Sequence, residues 1–222
     1  MYTPDYQGNL RSFMLRVPEC IQDCSGLRIF GRLIRSLVFT TDACIITNCN
    51  ADAVIAVYPF TPQPLIIQSV MRAATVPVFA GVGGGLTQGP RVIDLALDAE
   101  FQGAIGVVVN APTKNDTVRQ VVQRIDIPVV VTVVSEEDDI AARVEAGCRI
   151  VNVSAASKTP KIVERIRRDF PEMGIIATGG PTEENIRQTI KAGANAITWT
   201  PPTNGEVFKS IMDAYREGKP HP

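Results

Sequence analysis

Two glycine-rich stretches carry the most unusual chemistry in the sequence. From Gly81 to Gly89 the chain reads Gly-Val-Gly-Gly-Gly-Leu-Thr-Gln-Gly, five glycines in nine residues. Bare backbone at Gly83, Gly84 and Gly85 suits a nest of N–H groups around an anion or a closely approaching ligand. A lid or a turn needing positive φ asks for the same residues, and the spacing misses the dinucleotide-binding fingerprint. Gly179 and Gly180 precede Thr182-Glu183-Glu184, a helix start whose free N–H groups and positive dipole end favour an anion; a tight strand-to-helix turn explains them equally. Asn110 and Asn152 close or interrupt valine-rich runs. An amide placed there has to meet a ligand or a neighbouring loop, because a buried unmet amide costs about 1–3 kcal/mol. Ser154 and Thr200 supply hydroxyls at comparable positions, and Thr40, Thr41 and Asp42 follow another apolar run, where the Asp42 carboxylate is a candidate for activating water. Tyr58 and Trp199, the latter the only tryptophan, offer walls for a ring-shaped ligand or simply fill space. Ser135 reads as a helix cap.

These residues need a frame that brings them to one place. Small-residue steps recur at Ala51-Asp52-Ala53, Gln102-Gly103-Ala104, Ala146-Gly147-Cys148 and Ala192-Gly193-Ala194, each followed by an apolar run of strand length. Further runs open at Pro77-Val78 and Pro128-Val129, near Leu37, and at Ile175. Eight strands are predicted, at about 37–41, 53–58, 77–82, 104–109, 129–134, 149–154, 175–178 and 196–200. Unbroken β-branched runs such as Val107-Val108-Val109 and Val129-Val130-Val131 belong to parallel strands buried on both faces. Helix starts at Thr61-Pro62, Ser135-Glu136-Glu137-Asp138, Thr159-Pro160 and Thr182-Glu183-Glu184 supply the crossovers. Right-handed crossovers repeated in this way predict an α/β fold, a (β/α)8 TIM barrel, with every candidate above near the rim at the C-terminal strand ends. The barrel is expected over 36–218, after an N-terminal extension, 1–35, and before a tail, 219–222. Arg28, Arg32 and Arg35 beside Leu27, Phe30, Leu33 and Ile34 read as an extra helix or hairpin covering the barrel's lower end or a partner subunit.

The stretch Ile175-Ile176-Ala177-Thr178-Gly179-Gly180-Pro181-Thr182-Glu183-Glu184-Asn185-Ile186, followed by Ala192-Gly193-Ala194-Asn195-Ala196-Ile197, resembles the phosphate-binding (β/α)8 barrels. Within them it is most similar to the 2-keto-3-deoxy-6-phosphogluconate aldolase group, and quinolinate phosphoribosyltransferase shares its Gly-Gly-x-Thr-x-x-Asn-Ile rhythm. The likeness runs loosely over residues 50–200. It implies a phosphate held by glycines after strands seven and eight. Here strand eight leads instead into Thr200-Pro201-Pro202-Thr203-Asn204-Gly205, and the two prolines remove N–H donors. The resemblance also implies a Schiff-base lysine on strand six and a glutamate on strand two; Asn152 and Ala56 stand there. Imine chemistry would therefore fall to Lys158 or Lys114, which follow strands six and four, although a lysine at a helix start is ordinarily a solvated cation.

With Lys+Arg 22 against Asp+Glu 23, and no apolar run long enough to span a bilayer, no nucleic-acid or membrane partner is expected. Five scattered cysteines and the absence of a signal-peptide pattern suit a cytoplasmic protein with reduced thiols. No metal and no cofactor is expected, since His221, the only histidine, sits in a proline-flanked tail and the acidic run at Glu136 suits a helix start. The expected ligand is a small anion, and the expected assembly a homo-oligomer. The functional expectation is an enzyme acting on a small anionic, phosphorylated metabolite by lyase, aldolase or isomerase chemistry. A hydrolase of a small ester or phosphoester using Asp42, and a non-catalytic metabolite-binding barrel, stand as alternatives.

Overall fold

The computed structural model describes residues 2–4, 6, 8 and 14–221. After a short 3-10 turn, Glu19–Asp23, come the hairpin strands β1 (Leu27–Ile29) and β2 (Arg32–Ile34). Eight parallel strands follow: β3 (Ser36–Phe39), β4 (Ala53–Ala56), β5 (Val78–Gly83), β6 (Gly106–Val109), β7 (Val129–Val133), β8 (Ile150–Val153), β9 (Gly174–Thr178) and β10 (Ala196–Trp199). They pair in sequence order, and β10 closes onto β3. The helices are α1 (Ala43–Thr47), α2 (Pro64–Ala73), α3 (Pro90–Phe101), α4 (Asn115–Arg124), α5 (Ile140–Glu145), α6 (Thr159–Asp169), α7 (Glu183–Lys191) and α8 (Asn204–Arg216).

Alternate side chains along each strand enter two separate apolar clusters. Val38, Val54, Val107, Val131, Val151, Ile175 and Ile197 face outward, under the helices. Leu37, Ile55, Phe79, Val108, Val130, Ile150 and Ile176 face inward and fill the barrel, with Phe79 fully buried. Leu27, Ile29 and Ile34 of the hairpin join this inner cluster, so the N-terminal end of the barrel is stoppered by apolar side chains. Arg28, paired with Leu33 on the opposite face of the hairpin, lies in solvent, as does Arg32 beside the turn. Several arginines act as struts for loops: the Arg143 guanidinium donates to the carbonyls of Ala111 (2.8 Å) and Thr113 (2.5 Å) and to Asn115 Oδ1 (2.7 Å), fastening the turn between β6 and α4.

The eighth helix departs from the ring pattern. Residues Glu19–Asp23 lie against α7, and Cys20, Ile21 and Cys24 join the outward cluster that contains Val38 of β3. This segment covers the outer side of the barrel seam, and α8 has no buried residue; Phe208 is 65% exposed and Tyr215 48%.

Candidate active site at the barrel mouth

Not one of the eight barrel strands carries an ionisable residue. Their polar side chains are Ser36, at the lower end, and Thr132, Asn152, Thr178 and Thr198. Strand periodicity decides which way these point. Asn152 lies between the outward residues Val151 and Val153, Thr132 between Val131 and Val133, and Thr198 next to outward Ile197; all therefore face the barrel interior. Thr132 is paired with Asn152 across β7 and β8, and Thr178 with Thr198 across β9 and β10. The inward ends of four adjacent strands thus form a neutral polar arc above the apolar filling, which Asn110 extends after β6.

Two members of the arc are sealed in without partners. Asn152 is 8% exposed and Thr198 5%, and neither Asn152 Oδ1 nor Thr198 Oγ1 has a hydrogen-bond partner. Buried polar atoms are nearly always paired, and of the four unpaired ones among the described residues these two lie on the inward face at one end of the barrel, the others being Gln102 Oε1 and Thr113 Oγ1. On the other side of the mouth a cavity of about 260 Å³ is lined by Val57, Gly81, Gly84, Gly85, Val108 and Asn110, among others.

The glycine loop beside this cavity is dictated largely by packing. Gly84 has φ +99°, and a Cβ there would lie 2.5 Å from Asn110 Cβ and 2.7 Å from its backbone nitrogen. The Gly84 N–H donates to the Thr87 carbonyl at 2.9 Å, and the Gly83 carbonyl accepts from the Asn110 N–H at 2.9 Å. Gly83 is buried, whereas Gly85 is exposed with open space around it. Gly179 is likewise a contact residue, since a Cβ would come within 2.8 Å of both Ile186 and Ile197; Gly180 is exposed beside Thr178 and Thr198.

The other predicted site residues divide by position. Ser154 and Thr200 are exposed and continue the inward phase beyond β8 and β10. Trp199 alternates with Thr198 and packs against the outward cluster, and it also lines the rim hollow with Thr178, Gly180 and Thr198. Tyr58 packs against the same outward cluster, and its hydroxyl accepts from the Gln63 N–H at 2.9 Å. Asp42 caps α1, with Oδ1 accepting from Cys44 N (2.8 Å) and Ile45 N (3.3 Å), so this carboxylate serves the helix. Lys114 is exposed at the start of α4. The Lys158 side chain is 69% exposed and lies 3.9 Å from Glu136, which Lys161 holds more closely at 2.7 Å. The hydrogen bond from Lys161 keeps the Glu136 carboxyl below its ordinary range. Ala56, placed by resemblance where the aldolases have a glutamate, faces the helices; Val57 packs against the inner cluster. Thr132, Thr178 and Thr198 were not singled out from the sequence.

At the position where the resembled barrels hold phosphate, the helix ends are already occupied from within. Thr182 Oγ1 accepts from the Asn185 N–H at the start of α7. At α8 the Glu206 carboxylate accepts from the Thr203 N–H (2.7 Å) and hydroxyl (2.8 Å), which hold its pKa below the usual carboxylate range. An acid group in that hollow, together with Pro201 and Pro202, opposes a second anion.

No protein-family model matches the chain. A segment of 64 residues is 38% identical to inosine-5'-monophosphate dehydrogenase of Aquifex aeolicus (strain VF5), covering 27% of this chain and 13% of that protein. Among solved structures, phosphonopyruvate hydrolase in complex with oxalate and Mg2+ superposes with a TM-score of 0.62 at 11% identity, over 90% of this chain and 87% of its own. A 2,3-dimethylmalate lyase of the PEP mutase/isocitrate lyase superfamily gives 0.62 at 12% identity, over 89% and 80%. The 4-hydroxy-tetrahydrodipicolinate synthase of Methylacidiphilum fumariolicum SolV gives 0.59 at 15% identity, over 83% and 74%. What the chain shares with these three is the closed eight-stranded fold.

Proposed function

With that fold as the starting point, we propose that the chain is a barrel enzyme of lyase or isomerase type, acting on a small metabolite held in the C-terminal mouth. The observation that carries the reading is the pair of sealed, unpartnered polar groups on Asn152 and Thr198, set in a continuous neutral arc. Barrels of this fold place their sites at the C-terminal strand ends, and the similar structures named above include a lyase. The ligand lies over the arc with any acidic end toward the rim, where Lys114 and Lys158 stand in solvent. The amide of Asn152 and the hydroxyls of Thr132, Thr178 and Thr198 orient it, and Gly84 and Gly85 let its edge pass close to backbone.

Among the described residues no group of three or more His, Cys, Asp or Glu side chains is placed to hold a metal ion, and the mouth offers amides and hydroxyls instead. A hydrolase using Asp42 loses its base to the α1 cap. An imine route through Lys158 or Lys114 needs a lysine carried inward from solvent. The strongest rival is a barrel that binds without turnover, which the absence of ionisable groups on every barrel strand favours. We also propose a homo-oligomer, supported by the unburied apolar side chains of α8.

Proton NMR of the protein mixed with a panel of small 2-keto and 2-hydroxy acids tests the enzyme reading. Cleavage or isomerisation of at least one member, lost in Asn152→Leu, is expected. Unchanged spectra across the panel, with binding retained, would hand the site to the non-catalytic reading. Borohydride in the same mixtures reports on the imine route through an adduct at Lys114 or Lys158.

A further inference from the structure

We infer that the end of the ligand buried in the barrel is an uncharged group with a donor and an acceptor side by side, a carboxamide or lactam edge. The inference rests on the proposal that the ligand occupies the mouth and sharpens it by naming the chemical class of the buried end. The argument begins from charge. An anion drawn down to Asn152 would find no cation on any barrel strand; Lys158 is largely solvated and Lys114 is exposed. It would instead meet the lone pairs of Asn152 Oδ1, a buried acceptor with nothing donating to it. A cation fares no better, because no barrel strand carries a carboxylate and those of Asp42 and Glu206, beyond the strand ends, are held by the N-termini of α1 and α8. An isolated ion moved from water into such surroundings is strongly opposed, whereas a neutral polar group loses only hydrogen bonds that the site can restore.

The same atoms then say which neutral group fits. A free carboxamide carries an acceptor oxygen and a donor NH2 on adjacent corners, so its best partner is another amide edge, each donating to the other. Thr198, two strands away with its oxygen also unpartnered, adds a group that donates or accepts as required. Below lies the apolar filling of Val130, Ile150 and Ile176, which suits the hydrocarbon face of a small planar group. The neighbouring cavity of about 260 Å³ limits the enclosed part to a small molecule or fragment.

Binding of matched probes tests this directly. Nicotinamide, uracil and 2-pyrrolidone are titrated against nicotinate and inorganic phosphate, while the side-chain amide resonance of Asn152, identified by its loss in Asn152→Leu, is followed by 15N NMR. At least one amide or lactam is expected to move that resonance and to bind about tenfold or more tightly than its charged counterpart. Asn152→Asp, which replaces the donor–acceptor edge with two acceptors, should weaken that binding by about tenfold or more. Asn152→Leu should remove it while raising the melting temperature of the free protein. Charged probes moving the Asn152 resonance at lower concentration than the amides, or no probe moving it, would overturn the inference. Selective amide binding without turnover of any keto or hydroxy acid would remove the enzyme reading and leave this one standing; turnover with charge-selective binding would do the reverse.

Discussion

Replacing Thr198 by valine exchanges a buried hydroxyl for a methyl group of nearly the same shape, on a strand where both β-branched side chains are at home. Thr198 is 5% exposed and its oxygen has no partner, so the folded protein bears a desolvation cost that the unfolded chain does not. Such a cost is about 1–3 kcal/mol, and valine removes it, so Thr198→Val should stabilise the ligand-free protein by about 1–2 kcal/mol. For a chain of this size each kcal/mol moves the midpoint by about 2–4 °C, giving a rise of about 2–8 °C by differential scanning calorimetry. Thr189 provides the comparison: it is 1% exposed, but its hydroxyl donates to the Asn185 carbonyl at 2.9 Å, so Thr189→Val should lower stability by about 1 kcal/mol. Equal destabilisation by the two substitutions would mean that the Thr198 hydroxyl is satisfied in solution, and the case for a polar mouth awaiting a ligand would fail.

Gly84→Ala should lower stability by about 2 kcal/mol or more, read by urea denaturation, because its φ of +99° and the 2.5 Å approach to Asn110 leave no room for a Cβ. Burial pushes the Cys24 thiol up to about 12 from 9.0, which makes the native state bind more protons than the unfolded chain above pH 9. Its contribution is therefore fully present below pH 9 and shrinks by about 1 kcal/mol per pH unit as the pH climbs toward 12; Cys24→Ala should flatten that alkaline decline. Arg143→Met should speed hydrogen exchange in the turn from Ala111 to Asn115, which loses three hydrogen bonds, without a comparable change near Gly180. Sedimentation velocity should show an assembly larger than a monomer, reduced by Phe208→Lys on the exposed face of α8.

The fold was legible because parallel strands leave continuous apolar runs; of the expected helix starts Thr159-Pro160 and Thr182-Glu183 hold, whereas α2 opens at Pro64 and α5 at Ile140, capped by Asp139 rather than Ser135. The expected 53–58 became Ala53–Ala56, and 196–200 became Ala196–Trp199, differences confined to strand ends. What those runs hide is phase. A strand apolar on both faces shows no alternation, so nothing in Ala196-Ile197-Thr198-Trp199 says which neighbour looks into the barrel. Trp199 drew the notice, and it does line the rim hollow, but Thr198 is the residue whose phase points into the barrel. Thr132 and Thr178 escaped for a related reason, because threonine is an ordinary strand former and draws no notice beside valine. Asn152 stood out because an amide has no propensity reason to interrupt Ile150-Val151-Asn152-Val153. The outward placing of Ala56 follows from the same missing phase, and the caps that occupy Asp42 and Glu206 appear only once the helix termini have coordinates.

The apolar stopper at the lower end has a kinetic consequence. With Leu27, Ile29 and Ile34 closing one end, the barrel is a blind vessel rather than a tunnel. A ligand held in the mouth, as proposed, would have to leave by the end it entered, and two molecules could not follow one another in single file.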